Sequence, residues 1–117
     1  MDGRSLPREA TSTTALILAS FFAVLAPHSV RAATPPGEQI FESSDCATCH
    51  AIDHKVVGPA LQDIAKKFAG QNDAAPTLAD AIKNGHVGTW GQIPMPPDPT
   101  LTDAQIQQVV AWILTLK

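Results

Sequence analysis

The sequence predicts an all-α fold of about four short helices. Three observations support it. Apolar residues recur at helical spacing in four short stretches. Prolines or capping residues open these stretches, and glycines close two of them. No strand-rich pattern appears, so no sheet is expected.

The elements follow in order. Thr34-Pro35-Pro36-Gly37 reads as a linker, and Gly37 to Asp45 as a first helix with Ile40 and Phe41 facing inward. Ala51 to Gly58 reads as a loop. Pro59 then opens a second helix, Ala60 to Ala69, with Leu61, Ile64, Ala65 and Phe68 at helical spacing and Gly70 as its stop. Pro76 opens a third helix that runs to Asn84, carries Leu78, Ala79 and Ile82 on one side, and ends at Gly85. His86 to Pro99 has no periodicity. Gly88, Gly91, Pro94, Pro96, Pro97 and Pro99 exclude a helix or a central strand there. Thr102-Asp103-Ala104-Gln105 is a capping box opening a terminal helix to about Leu116. Ile106, Val109, Val110, Ile113 and Leu114 form its apolar stripe, with Trp112 beside it as core.

The first third of the 117-residue chain stands apart from this pattern. Ala15 to Ala26 is an apolar run of twelve residues, too short for a bilayer span of about 20. Pro27 ends it, and Val30-Arg31-Ala32 has small or neutral residues where a signal peptidase reads. Residues 1–32 therefore read as a secretory signal peptide, and residues 33–117 as one domain. Arg4 and Arg8 are offset by Asp2 and Glu9, which weakens the leader's charge. An uncleaved membrane anchor is the competing reading.

Charge narrows the function classes. In residues 33–117, Lys55, Lys66, Lys67, Lys83 and Lys117 oppose nine carboxylates, and there is no Arg. Nucleic-acid binding needs a basic face and is excluded on this balance. A dense lysine ring for an acidic partner is also missing.

Cys46-Ala47-Thr48-Cys49-His50 carries the chemistry. C-x-x-C-H is the attachment pattern of a c-type haem. The two thiols can each add across one vinyl group of a porphyrin, and the adjacent His50 can ligate the iron. A structural zinc site would need four ligands, and a thioredoxin-like motif would need a βαβ setting. The chain has no other Cys. Thioether bonds to haem are made outside the bacterial cytosol, which agrees with the leader. One covalent haem c would also give a small domain an apolar body to pack on.

A haem with two protein ligands transfers electrons, whereas an open one can bind gas or peroxide. Met95 is the one Met in residues 33–117, and it lies in Gln92-Ile93-Pro94-Met95-Pro96-Pro97. Its soft thioether suits iron(II), and three prolines restrict its loop. A Met so placed is a poor core filler. Met95 is therefore the expected second iron ligand with His50. His54 follows His50 too closely to reach the other face. His86 is the remaining competitor, and both read as solvated loop histidines.

These segments together resemble bacterial class I cytochromes c, the small periplasmic monohaem type of the five-fifty-one or c-eight group. Cys46 to Asp53, Val57-Gly58-Pro59-Ala60, Lys67-Phe68-Ala69-Gly70, Ile82-Lys83-Asn84-Gly85 and Trp90 to Pro97 fall in the family's order over nearly all of residues 37–117. The resemblance implies the small class I cytochrome c fold, with about four short helices around one covalently bound haem. It implies that the Pro59 carbonyl accepts a hydrogen bond from the His50 ring, and that the Trp90 indole reaches a haem propionate. It implies a monomeric periplasmic electron carrier of a respiratory chain, not an enzyme. Such a carrier would serve a donor cytochrome complex and a reductase or terminal oxidase. A sensor with an open iron site, or an electron-entry subunit of a larger redox enzyme, are the alternatives.

The chain also departs from the family. Ala81 stands where an arginine often meets a propionate, Ser44 where a lysine is common, and Asp98 where an asparagine often bonds near the Met sulfur. An ionised carboxylate cannot donate to sulfur. With no basic ring, partner docking is expected on apolar residues at the haem edge, among Val57, Gly58, Ala60, Ile93 and Pro94.

Overall fold

The computed structural model describes residues 31–117, together with Gly3 and Ser29. The leader expected over residues 1–32 lies almost wholly outside the described residues. The described part is mostly helical: α1 (Pro36–Ser43), α2 (Cys46–Cys49), α3 (Leu61–Phe68), α4 (Ala74–Asn84) and α5 (Asp103–Ile113), with β1 (His86–Gly88) and β2 (Gly91–Met95) between α4 and α5. Among the described residues no helix is long and apolar enough to cross a membrane.

The all-α expectation holds for the core, with two corrections. The first expected helix, Gly37 to Asp45, runs from Pro36 to Ser43, and the cysteine motif adds a short helix of its own, α2, that was not expected. The expected absence of a sheet is also wrong. β1 and β2 form an antiparallel hairpin with an irregular register, His86 opposite Met95 and Gly88 opposite Gly91. Gly88 (φ 104°) and Gly91 (φ 121°) adopt the left-handed backbone that this tight turn needs. Every hairpin residue except Met95 is exposed, so no alternating apolar pattern announces the strands. Pro94 is tolerated because each strand of a two-stranded hairpin is an edge.

Helix starts differ for identifiable reasons. Pro59 does not open α3, since Ala60 is the N-cap and helical geometry begins at Leu61. Asp63 in the first turn and Lys66 and Lys67 in the last complement the helix dipole. Pro76 does not open α4, which begins at Ala74. Pro76 still lies among the first residues of α4, whose N–H groups have no intrahelical partner, so its missing N–H costs nothing. The capping box at Thr102 forms as read: Gln105 N–H donates to Thr102 Oγ1 (3.2 Å) and Thr102 N–H to Gln105 Oε1 (2.9 Å).

The core gathers Phe41 from α1, Leu61 and Ile64 from α3, Ile82 from α4, and Ile106, Val109, Val110, Trp112 and Ile113 from α5. Phe41 and Trp112 pack as tilted rings with centroids 5.6 Å apart, within the favourable range for aromatic pairs. α1 crosses α5 so closely that a Cβ on buried Gly37 would run into the Gln108 carbonyl oxygen and Trp112 Cβ. Sequence reading placed Gly37 at the junction of the linker and the first helix and missed this role.

Gly37→Ala should therefore lower stability. The clash outweighs the roughly 1 kcal/mol by which Ala favours a helix over Gly. A net loss of about 1–2 kcal/mol is expected from overpacking. Thermal unfolding of the haem-loaded variant measures it, and a raised midpoint would contradict the close crossing.

Candidate functional site: a haem pocket

One cavity of about 340 Å³ brings the expected site residues together. Cys46, Cys49, His50, Pro59, Trp90 and Met95 all line it. Its inner wall is apolar core, including Phe41, Leu61, Ile64, Ile82, Val109 and Ile113.

The cysteine motif is held from both sides. Cys46 and Cys49 are free, half-buried thiols one helical turn apart on α2. The His50 N–H donates to the Cys46 carbonyl (3.0 Å). The following loop folds back onto the motif, with Gly58 and Val57 N–H both donating to the Cys49 carbonyl (2.8 and 3.2 Å). Leu61 and Gln62 N–H donate to the carbonyls of Ala51 and Ile52 (2.9 and 3.0 Å), which fixes α3 to the same loop.

This folding-back orients the His50 ring. His50 Nδ1 lies 2.8 Å from the Pro59 carbonyl oxygen. A carbonyl only accepts, so Nδ1 carries the proton and Nε2 keeps a free lone pair. Gly58 lies flat against the ring: a Cβ there would stand 2.8 Å from Nδ1 and 2.9 Å from Nε2. Sequence reading quoted Gly58 as part of a motif but did not see this constraint.

Met95 ends β2, half-buried, in the same cavity. Its loop is tied to α4. At Gly85 (φ 82°) a Cβ would stand 2.8 Å from the Met95 carbonyl oxygen and 3.1 Å from Pro97 N. The Asp98 N–H donates to the Ile82 carbonyl (2.9 Å). The Asp98 carboxylate turns to its own loop, accepting from Thr100 Oγ1 (2.6 Å), Thr100 N–H (2.8 Å) and Leu101 N–H (3.3 Å). The Thr100 hydroxyl bond, helped by the backbone N–H groups, holds its pKa below the usual carboxylate value. Asp98 thus organises the turn before α5.

The remaining expectations divide. His54 is exposed, bonded to Asp53 at 2.7 Å, and does not line the cavity. His86 does line it, with Nε2 hydrogen-bonded to Thr89 Oγ1 at 2.6 Å. Ala81 lines the wall without charge. The Ser44 hydroxyl donates to the Phe41 carbonyl (3.3 Å). Val57 and Ile93 are 48% and 68% exposed, as docking residues require, but Ala60 is buried at 1%. Ala60 is the α3 N-cap packed into the core and cannot meet a partner. Val56 and Val87, which sequence reading did not name, are about half exposed.

The donor set and the space fit a covalently held haem. Two thiols, an oriented imidazole and a thioether converge on one apolar cavity, and glycine at position 58 keeps the imidazole face clear. Residues 35–117 match the model of the Cytochrome c family.

The chain belongs to the cytochrome c family.

Its relatives agree. Over 81 residues it is 49% identical to cytochrome c-551 of Ectopseudomonas mendocina, covering 69% of this chain and 98% of that protein. Over 76 residues it is 53% identical to cytochrome c-552 of Nitrosomonas europaea, covering 65% of this chain and 74% of that one. The crystal structure of wild-type Nitrosomonas europaea cytochrome c552 superimposes with a TM-score of 0.66 at 50% identity, covering 68% of this chain and 99% of the other. This cytochrome carries one covalent c-type haem at Cys46 and Cys49, in the small cytochrome c fold, and belongs with small electron carriers.

Replacing both Cys46 and Cys49 by Ala should abolish covalent attachment. Haem in the unmutated protein should survive acid-acetone extraction, and any haem in the double variant should be extracted. Retained haem in the double variant would contradict attachment through these thiols.

Proposed function

We propose that residues 33–117 work as a soluble, monomeric one-electron carrier in the periplasm, after residues 1–32 direct export and are removed. The bound haem supplies the one-electron couple, and the protein supplies ligation, a dry pocket and a docking edge. His50 Nε2 and Met95 sulfur are the two iron ligands. Pro59 holds the imidazole and increases its donor strength. Trp90 donates its indole N–H to a haem propionate, which gives that polar atom a partner.

One observation carries this reading: the oriented imidazole of His50 and the thioether of Met95, from different elements, line one cavity with the two thiols. A soft sulfur favours iron(II) and raises the potential relative to a second imidazole. The rigid loop around Met95 supports a stable six-coordinate carrier over an open-iron sensor.

The partner reading follows from the surface. Val57, Val87 and Ile93 are exposed large hydrophobics on the cavity's lining. Residues 33–117 carry four more acidic than basic side chains. A brief, apolar-centred contact with a donor cytochrome complex and a reductase or terminal oxidase fits such an edge.

Met95→His tests the ligand assignment. The variant should stay six-coordinate yet have a potential lower by at least ~59 mV, the one-electron equivalent of a tenfold change in preference. Voltammetry of the purified protein reads it. An unchanged potential and spectrum would show that Met95 is not on the iron.

A further inference from the structure

The cavity wall has an unusual charge distribution for an acidic chain. The sequence holds 11 Asp and Glu residues against 8 Lys and Arg. Yet no Asp or Glu lines the haem pocket among the described residues. A haem brings its own carboxylates, so a wall free of carboxylates spares them like-charge repulsion. Ala81, on α4, supplies no counter-charge.

Two lysines have no carboxylate partner here: Lys55 lines the wall itself, and Lys67 stands beside Trp90 of the wall. Among the described residues Lys66 pairs with Asp63 at 3.9 Å and Lys83 with Asp103 at 2.7 Å, whereas Lys55 and Lys67 have no such pair. Lys67 leaves the last turn of α3 and places its ammonium 5.5 Å from the centroid of the Trp90 ring. That separation is a cation–π contact.

Trp90 needs such a support. It sits in the two-residue turn of the hairpin, between Gly88 and Gly91, and is 38% exposed. The hairpin that carries the ring is exposed apart from Met95. Lys67 joins that turn to α3, a helix seated in the core through Leu61 and Ile64.

We infer that Lys67 is a positioning residue for the haem carboxylate site: it clamps Trp90 against the pocket. This rests on the reading of Trp90 as a propionate donor. The clamp acts through the indole, because Lys67 itself does not line the cavity.

The test is proton exchange at the Trp90 indole N–H in the reduced, haem-loaded protein, followed by NMR. Buried Trp112 serves as the internal reference. Exchange at Trp90 should be slow in the unmutated protein. It should quicken roughly two- to fivefold in Lys67→Met, the population change that an exposed cation–π contact is worth. Lys67→Arg, which keeps the cation, should preserve slow exchange. Unchanged exchange in Lys67→Met would overturn the clamp and leave the Trp90 reading intact. Fast exchange in the unmutated protein would overturn the Trp90 reading and the clamp with it. Equal acceleration at Trp90 and Trp112 would mark general loosening and would also overturn the clamp.

Discussion

The hydrogen bond from His50 Nδ1–H to the Pro59 carbonyl, 2.8 Å long, organises this molecule. It fixes which ring nitrogen is free and where that nitrogen points. Proline is suited to the accepting side: it has no N–H, and the fixed φ angle stiffens the turn. The bond also explains the chain's path. The segment after the cysteine motif must return to the ring within nine residues. It does so by placing two successive N–H groups on the Cys49 carbonyl and a glycine flat against the imidazole. α3 then starts at Leu61, where its first N–H groups close the loop onto Ala51 and Ile52.

The rest of the fold builds a wall behind that ring. α1 and α5 cross at Gly37 and lock Phe41 against Trp112. α5 contributes five of the nine residues in the buried cluster. A domain this small has a thin core, and the pocket interrupts it. A covalently attached, largely apolar cofactor would give that core a body to pack on. Met95 is delivered from the other end of the chain by a hairpin and a proline-rich loop. Gly85 and the Asp98–Ile82 backbone bond hold that loop to α4.

Much of this was legible in the sequence because each signal had a strong local cause. The spacing of Cys46, Cys49 and His50 is fixed by the chemistry of attachment. The capping box at Thr102 and the stripe of α5 follow helical periodicity. Met95 stood out because a Met between prolines packs poorly. The hairpin was not legible, because its strands are exposed and carry no alternation; glycines and a proline mark it, and these also mark loops. The starts of α3 and α4 were misread because Pro59 serves as an acceptor outside its helix and Pro76 sits inside the first turn. Gly37 and Gly58 matter through contacts with residues far along or folded back on the chain, which local patterns do not record. Asp98 was compared with a residue near the Met sulfur, yet its nearest donors are Thr100 and Leu101.

With His50 and Met95 both on the iron, as proposed, no coordination position would be open to outside ligands. Carbon monoxide tests this most directly, because it binds iron(II) where a coordination position is open. The reduced, unmutated protein should keep its optical spectrum unchanged under carbon monoxide at neutral pH. Rapid conversion to a carbon monoxide-bound spectrum would contradict closed ligation and favour a haem sensor.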